Sequence, residues 1–106
     1  MTEDVNLGSQ IILSGFSGLD SSTMVVLRKM VGNYARRYSE ISEKFEKLHI
    51  TMKPVHERKT SEIYEIHAKV LANGKPFSTE SEERNLFVGI DDVLKKLENL
   101  LAHHQH

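Results

Sequence analysis

The chain has 106 residues, of which 39% are hydrophobic, 27% charged and 7% aromatic, and its formal net charge is −1. That suits a single soluble domain with one core, and no second domain is expected within it. Cysteine is absent, which excludes disulfide scaffolds, thiolate metal sites and cysteine nucleophiles.

Residues 1–8 are polar and end in Gly8, which predicts a flexible tail ahead of one domain over 9–102. Ile11-Ile12-Leu13, bounded by Gly8 and Gly15, predicts a short buried strand. Ser14–Ser22 reads as a turn in which Asp20, Ser21 or Ser22 can cap a helix. Met24, Leu27, Val31, Tyr34 and Tyr38 recur at spacings of three and four, one apolar stripe of a helix running to about Ser39. Lys29 and Arg36, two turns apart, stand nearly opposite that stripe, as does Gly32.

From Phe45 the period becomes two. Leu48, Ile50 and Met52 alternate with Lys47, His49, Thr51 and Lys53 as a half-buried strand ending near Pro54, and Val55–Thr60 follows as a basic loop. Ile66, Ala68 and Val70 alternate with Glu65, His67 and Lys69 in the next strand. If these two strands turn near residue 58, Lys47 faces Lys69, His49 faces His67 and Thr51 faces Glu65. Asn73-Gly74 predicts a type I′ turn into a return strand, Lys75–Ser81. Glu80–Arg84 is expected to be an acidic loop, and Asn85 to cap a last helix with Leu86, Ile90, Val93, Leu97 and Leu100 on its inner stripe. Residues 103–106 read as a His-rich tail.

The order is β-α-β-β-β-α, an α+β fold. Its first unit is a crossover between parallel strands, and the others form antiparallel hairpins. Two helices packed on one face of a four-stranded mixed sheet cover all the apolar stripes and leave the other face in water. No apolar run exceeds four residues and the chain opens Met-Thr-Glu-Asp. Neither a membrane span nor a secretory leader is expected, and a cytoplasmic protein is.

The near-zero total hides a block structure. Residues 1–27 carry −3, residues 28–59 carry +5 and residues 60–106 carry −3. Such a block can form a footprint for a polyanion, or its charges can balance in space. Catalytic signals are few: there is no Gly-x-Ser-x-Gly elbow, no P-loop and no dinucleotide-binding turn. Asp91 and Asp92 diverge by one helical step and make no acid/base pair. His49, His67 and Glu65 are the residues that an enzyme or metal site would use, against the plainer reading of surface histidines. Tyr34, Tyr38 and Tyr64 can stack on bases, but the first two lie on the core stripe.

Ala72-Asn73-Gly74, then Phe77-Ser78-Thr79, an acidic segment, and Leu86-Phe87-Val88-Gly89-Ile90-Asp91-Asp92-Val93-Leu94-Lys95-Lys96-Leu97-Glu98 resemble the ribosome hibernation-promoting factor and ribosome-associated inhibitor family. The match covers about Lys47–Leu101 and is to the short form. It implies a non-enzymatic factor, without cofactor or metal, that binds the small ribosomal subunit and its rRNA near the decoding region and blocks translation by idle ribosomes. Basic residues on the helices and adjoining loops would touch phosphate. On this chain those are Lys29, Arg36, Arg37, Lys53, Arg58, Lys59, Lys95 and Lys96, with Lys47 and Lys69 on the sheet as secondary contacts. The chain departs from the family at Ser81-Glu82-Glu83, where Lys or His is common, at Asn99 in place of Arg, and at His103-His104 in place of a lysine-rich tail. Neither a membrane nor a small-molecule substrate is expected. The alternative is a protein-interaction or homodimer module that uses the exposed sheet face or an edge strand.

Overall fold

Alternating apolar and polar residues draw most of the central chain into one twisted sheet, and the two helical stripes cover its apolar face. The computed structural model describes residues 4–6, 10–56 and 62–103. In chain order the elements are β1 (Asp4–Asn6), β2 (Ile11–Ser14), α1 (Ser21–Ile41), β3 (Phe45–His56), β4 (Glu62–Ala72), β5 (Lys75–Glu83) and α2 (Leu86–His103). The expected β-α-β-β-β-α order and the two-helices-on-one-face architecture are present. Strands lie in the order β1-β2-β3-β4-β5. β2 runs parallel to β3, as the crossover requires, and the other neighbours are antiparallel.

Besides β3, which runs on past Pro54 through Val55 to His56 where a loop was expected, three expectations need correction. Within the tail expected over 1–8, Asp4–Asn6 pairs with Ile12–Ser14 and adds a short fifth strand at the β2 edge. The acidic segment Glu80–Glu83 is not a loop but the second half of β5. His103 belongs to α2 rather than to the tail: its Nδ1 lies 2.8 Å from the Asn99 carbonyl oxygen, one turn earlier.

The core lies between the sheet and the helices. Leu13, Leu48, Ile50, Ile66 and Val70 from the strands meet Leu27, Val31 and Tyr38 of α1 and Ile90, Val93, Leu94 and Leu97 of α2, all essentially without solvent contact. Each such aliphatic side chain contributes about 1.5–3 kcal/mol relative to exposure. Asn85 caps α2 as expected: its Oδ1 accepts from the Phe87 and Val88 amides at 3.0 and 3.2 Å. Asn73 and Gly74 both take positive φ, 54° and 75°, the pair a type I′ turn demands. That turn is tied to the start of β3. The Lys44 amide donates to Asn73 Oδ1 at 2.9 Å, and the Gly74 amide to Glu46 Oε2 at 2.8 Å. Among the described residues no helix is long and apolar enough to cross a membrane.

Candidate nucleic-acid interface

Strand alternation puts Lys47, His49, Thr51 and Lys53 of β3 and Glu65, His67, Lys69 and Leu71 of β4 on the face away from the helices. The register differs from the sequence expectation by two residues. Lys47 faces Leu71, His49 faces Lys69, Thr51 faces His67 and Lys53 faces Glu65. The two lysines are therefore diagonal neighbours rather than opposite one another, and the two histidines are likewise offset. A lysine now faces a carboxylate, with Lys53 Nζ 3.8 Å from Glu65 Oε1.

The ten cations expected at phosphate fall into three groups. Four are engaged with acids. Lys53 pairs with Glu65, Arg37 with Glu98 at 3.5 Å, Lys95 with Asp91 at 3.6 Å and Lys96 with Asp92 at 3.0 Å. Arg37 also lies 4.8 Å over the Tyr34 ring. Lys96 further donates to the Glu80 carbonyl oxygen at 3.2 Å and holds the Asp92 carboxyl below the usual carboxylate range. Four have no ion-pair partner among the described residues: Lys29 and Arg36 on α1, and Lys47 and Lys69 on the sheet, all exposed. Arg58 and Lys59 lie outside the described residues.

The unpaired four do not make one patch. Lys29 and Arg36 stand on the outer side of the helical layer, whereas Lys47 and Lys69 stand on the opposite side of the molecule. The sheet pair is the one with a surface built around it. Lys47 and Lys69 line a groove of about 300 Å³ with His49, Leu71 and Pro76. A second groove of about 290 Å³ continues past His49 and Lys69 to Thr51, His67 and Ser78. His49 is half-buried and fixed in place, with Nε2 2.7 Å from Ser14 Oγ of β2.

One cation the sequence reading passed over lies at the same end of the sheet as this pair. Lys44 immediately precedes β3 and is tied to the Asn73-Gly74 turn, its carbonyl accepting from the Asn73 amide at 2.8 Å, whereas Lys75, which opens β5, pairs with buried Ala72 and so projects toward the helix side of the sheet. Pairing the strands outward from that turn was the signal available in the sequence. The far end of the same face is acidic, with Glu65, Glu80 and Glu82 in adjacent rows. An anionic ligand is therefore favoured at the turn end and repelled at the other.

Among the described residues no aromatic platform accompanies the lysines. Tyr34 and Tyr38 are buried in the helix seam, where the Tyr34 hydroxyl donates to Asp91 Oδ1 at 2.7 Å and the Tyr38 hydroxyl to the Leu94 carbonyl at 2.6 Å. Tyr64 is half-buried. Contact through this face would rest on charge and shape rather than on base stacking. The histidines do not form a metal centre: His67 Nε2 is 3.9 Å from Glu65 Oε1, but no group of three or more His, Asp or Glu able to hold an ion occurs among the described residues.

No family model and no curated protein matches the sequence. Solved structures do match the fold. A ribosomal subunit interface protein from Coxiella burnetii aligns with a TM-score of 0.56 at 20% identity, over 91% of this chain and 94% of that one. The two chains share a fold. The N-terminal domain of Thermus thermophilus Protein Y aligns with a TM-score of 0.48 at 18% identity, over 74% of this chain and 81% of that one.

Proposed function

We propose that this chain is a non-enzymatic ribosome-associated factor that binds the small-subunit rRNA near the decoding region and blocks translation by idle ribosomes. The observation that carries the reading is Lys47 and Lys69, unpaired among the described residues, lining one groove on a fold shared with a ribosomal subunit interface protein. The sequence resemblance over about Lys47–Leu101 supports the same reading. The turn end of the open sheet face, with Lys47 and Lys69 and with Lys44 beside the turn, supplies the phosphate contacts. Arg37, Lys53, Lys95 and Lys96 contribute less, because each would first have to leave an acid. Binding is sequence-tolerant and strongly salt-dependent. The reading involves no cofactor, membrane or small-molecule substrate.

Co-sedimentation with purified small ribosomal subunits across a salt series tests it. The protein is expected in the pellet at low salt and in the supernatant as salt rises. Absence from the pellet at every salt concentration would refute it.

A further inference from the structure

β5 is the last strand of the sheet, and among the described residues its far side has no neighbouring strand. Two observations fix which of its backbone groups face outward. Lys96 Nζ reaches the Glu80 carbonyl oxygen at 3.2 Å from α2, so that carbonyl points away from β4. Pro76, which has no amide hydrogen to donate, lies an even number of residues away, so its nitrogen also faces the open side, where no donor is missed. Since a residue's N–H and C=O leave a strand on the same side, Ser78, Glu80 and Glu82 present theirs at the free edge.

A groove of about 390 Å³ runs beside that edge, lined by Thr79 of β5 and by Lys96, Asn99, Leu100 and His103 on the overhanging flank of α2. A strand added to β5 would place alternate side chains in two environments. Those opposite Thr79 and Ser81 would point into the groove, against Leu100. Those opposite Glu80 and Glu82 would lie on the open face beside two exposed carboxylates that have no ion-pair partner among the described residues.

We propose that the β5 edge is a docking site for an extended peptide segment of another protein, alternating basic and apolar residues, that joins the sheet as an added strand. Backbone hydrogen bonds to Ser78, Glu80 and Glu82 supply the pairing, and the alternation supplies the selectivity. Charge chooses this occupant over a second copy of the chain. Symmetric antiparallel β5–β5 pairing would bring Glu80 and Glu82 against the same residues of the other copy, and facing like charges oppose it. The Lys96 contact to Glu80 covers the edge until a peptide amide displaces it, a usual way of guarding an open strand. The site uses the acidic end of the sheet and does not depend on the ribosome reading.

The test is titration of the isotope-labelled full chain with a capped heptapeptide, Lys-Val-Lys-Val-Arg-Val-Lys, followed by amide chemical shifts and hydrogen exchange. The proposal expects saturable shifts and new exchange protection centred on residues 78–82. It expects affinity to fall at least about tenfold in Glu80→Pro, which removes an outward amide donor together with one carboxylate and takes no donor from the β4 ladder. It expects Glu80→Lys/Glu82→Lys, which keeps the backbone intact, to weaken binding and to reverse preference toward a Glu-Val analogue. Shifts confined elsewhere, equal binding of a composition-matched block peptide, or unchanged affinity in both variants would overturn it. So would concentration-dependent shifts of residues 78–82 without peptide, since that result assigns the edge to a second copy.

Discussion

The Tyr38 hydroxyl donates to the Leu94 carbonyl oxygen at 2.6 Å in the solvent-free seam between α1 and α2. The ring fills the seam and its polar tip finds a partner there, so one side chain joins the two helices by packing and by direction. Tyr38→Phe keeps the ring and removes the hydrogen bond. Urea denaturation is expected to show a loss of about 1 kcal/mol, with the m-value unchanged.

One turn away, burial together with the hydrogen bond to Asp91 and its charge pushes the Tyr34 hydroxyl up to about 12. In the unfolded chain the group ionises near its ordinary value of 10.0. The raised folded value means its stabilisation is complete below pH 10 and is lost as pH rises from about 10 to 12. Tyr38 is shifted in the same direction, chiefly by burial, so Tyr34→Phe should flatten the alkaline decline only in part. Chemical denaturation of both proteins between pH 9 and 12 measures the difference, and parallel curves would contradict this assignment.

Two glycines of the helices should respond oppositely to alanine. At Gly32 an added methyl meets open space on the outer side of α1, so Gly32→Ala should stabilise by about 0.5–1 kcal/mol through helix propensity. At Gly89 the same methyl collides with the Ile66 side chain and comes within 3.2 Å of Glu83 Cβ, because α2 packs directly on β4 and β5 there. Gly89→Ala should cost about 1–3 kcal/mol. Thermal melts of the two variants check both signs.

The fold was readable where side-chain period is strong. The stripe from Met24 to Tyr38, the alternation of Leu48, Ile50 and Met52, and the Asn73-Gly74 turn each specify one local structure and agree with one another. Three elements were not readable, each for a physical reason. β1 is three residues long at an edge and too short to show a period. The end of β5 looked like a loop because its half-buried positions, Ser81 and Glu83, are polar and no apolar alternation marks the strand. The β3–β4 register missed by two because no turn signal near residue 58 fixes it. Pairs such as His56 with Glu62 are centred on residue 59, and one residue of turn position moves every partner by two.

That same shift changed the candidate site. Lys53 gained a carboxylate opposite it, and Lys47 and Lys69 became diagonal members of one groove. Ion pairing of Lys95 and Lys96 was visible as i,i+4 spacing from Asp91 and Asp92. Pairing of Arg37 with Glu98 was not, since it depends on how the helices pack.

Because phosphate contacts release counterions, the salt dependence of ribosome binding counts them, and Lys47 and Lys69 are the pair to count. The decisive measurement is the slope of log affinity for purified small subunits against log salt, for the natural chain and for Lys47→Gln/Lys69→Gln, with Lys29→Gln/Arg36→Gln as the comparison on the opposite side. The account predicts that the sheet variant flattens the slope by roughly 1.4 to 1.8 while the helix variant leaves it in place. An unchanged slope in the sheet variant, or a flattening only in the helix variant, would contradict it.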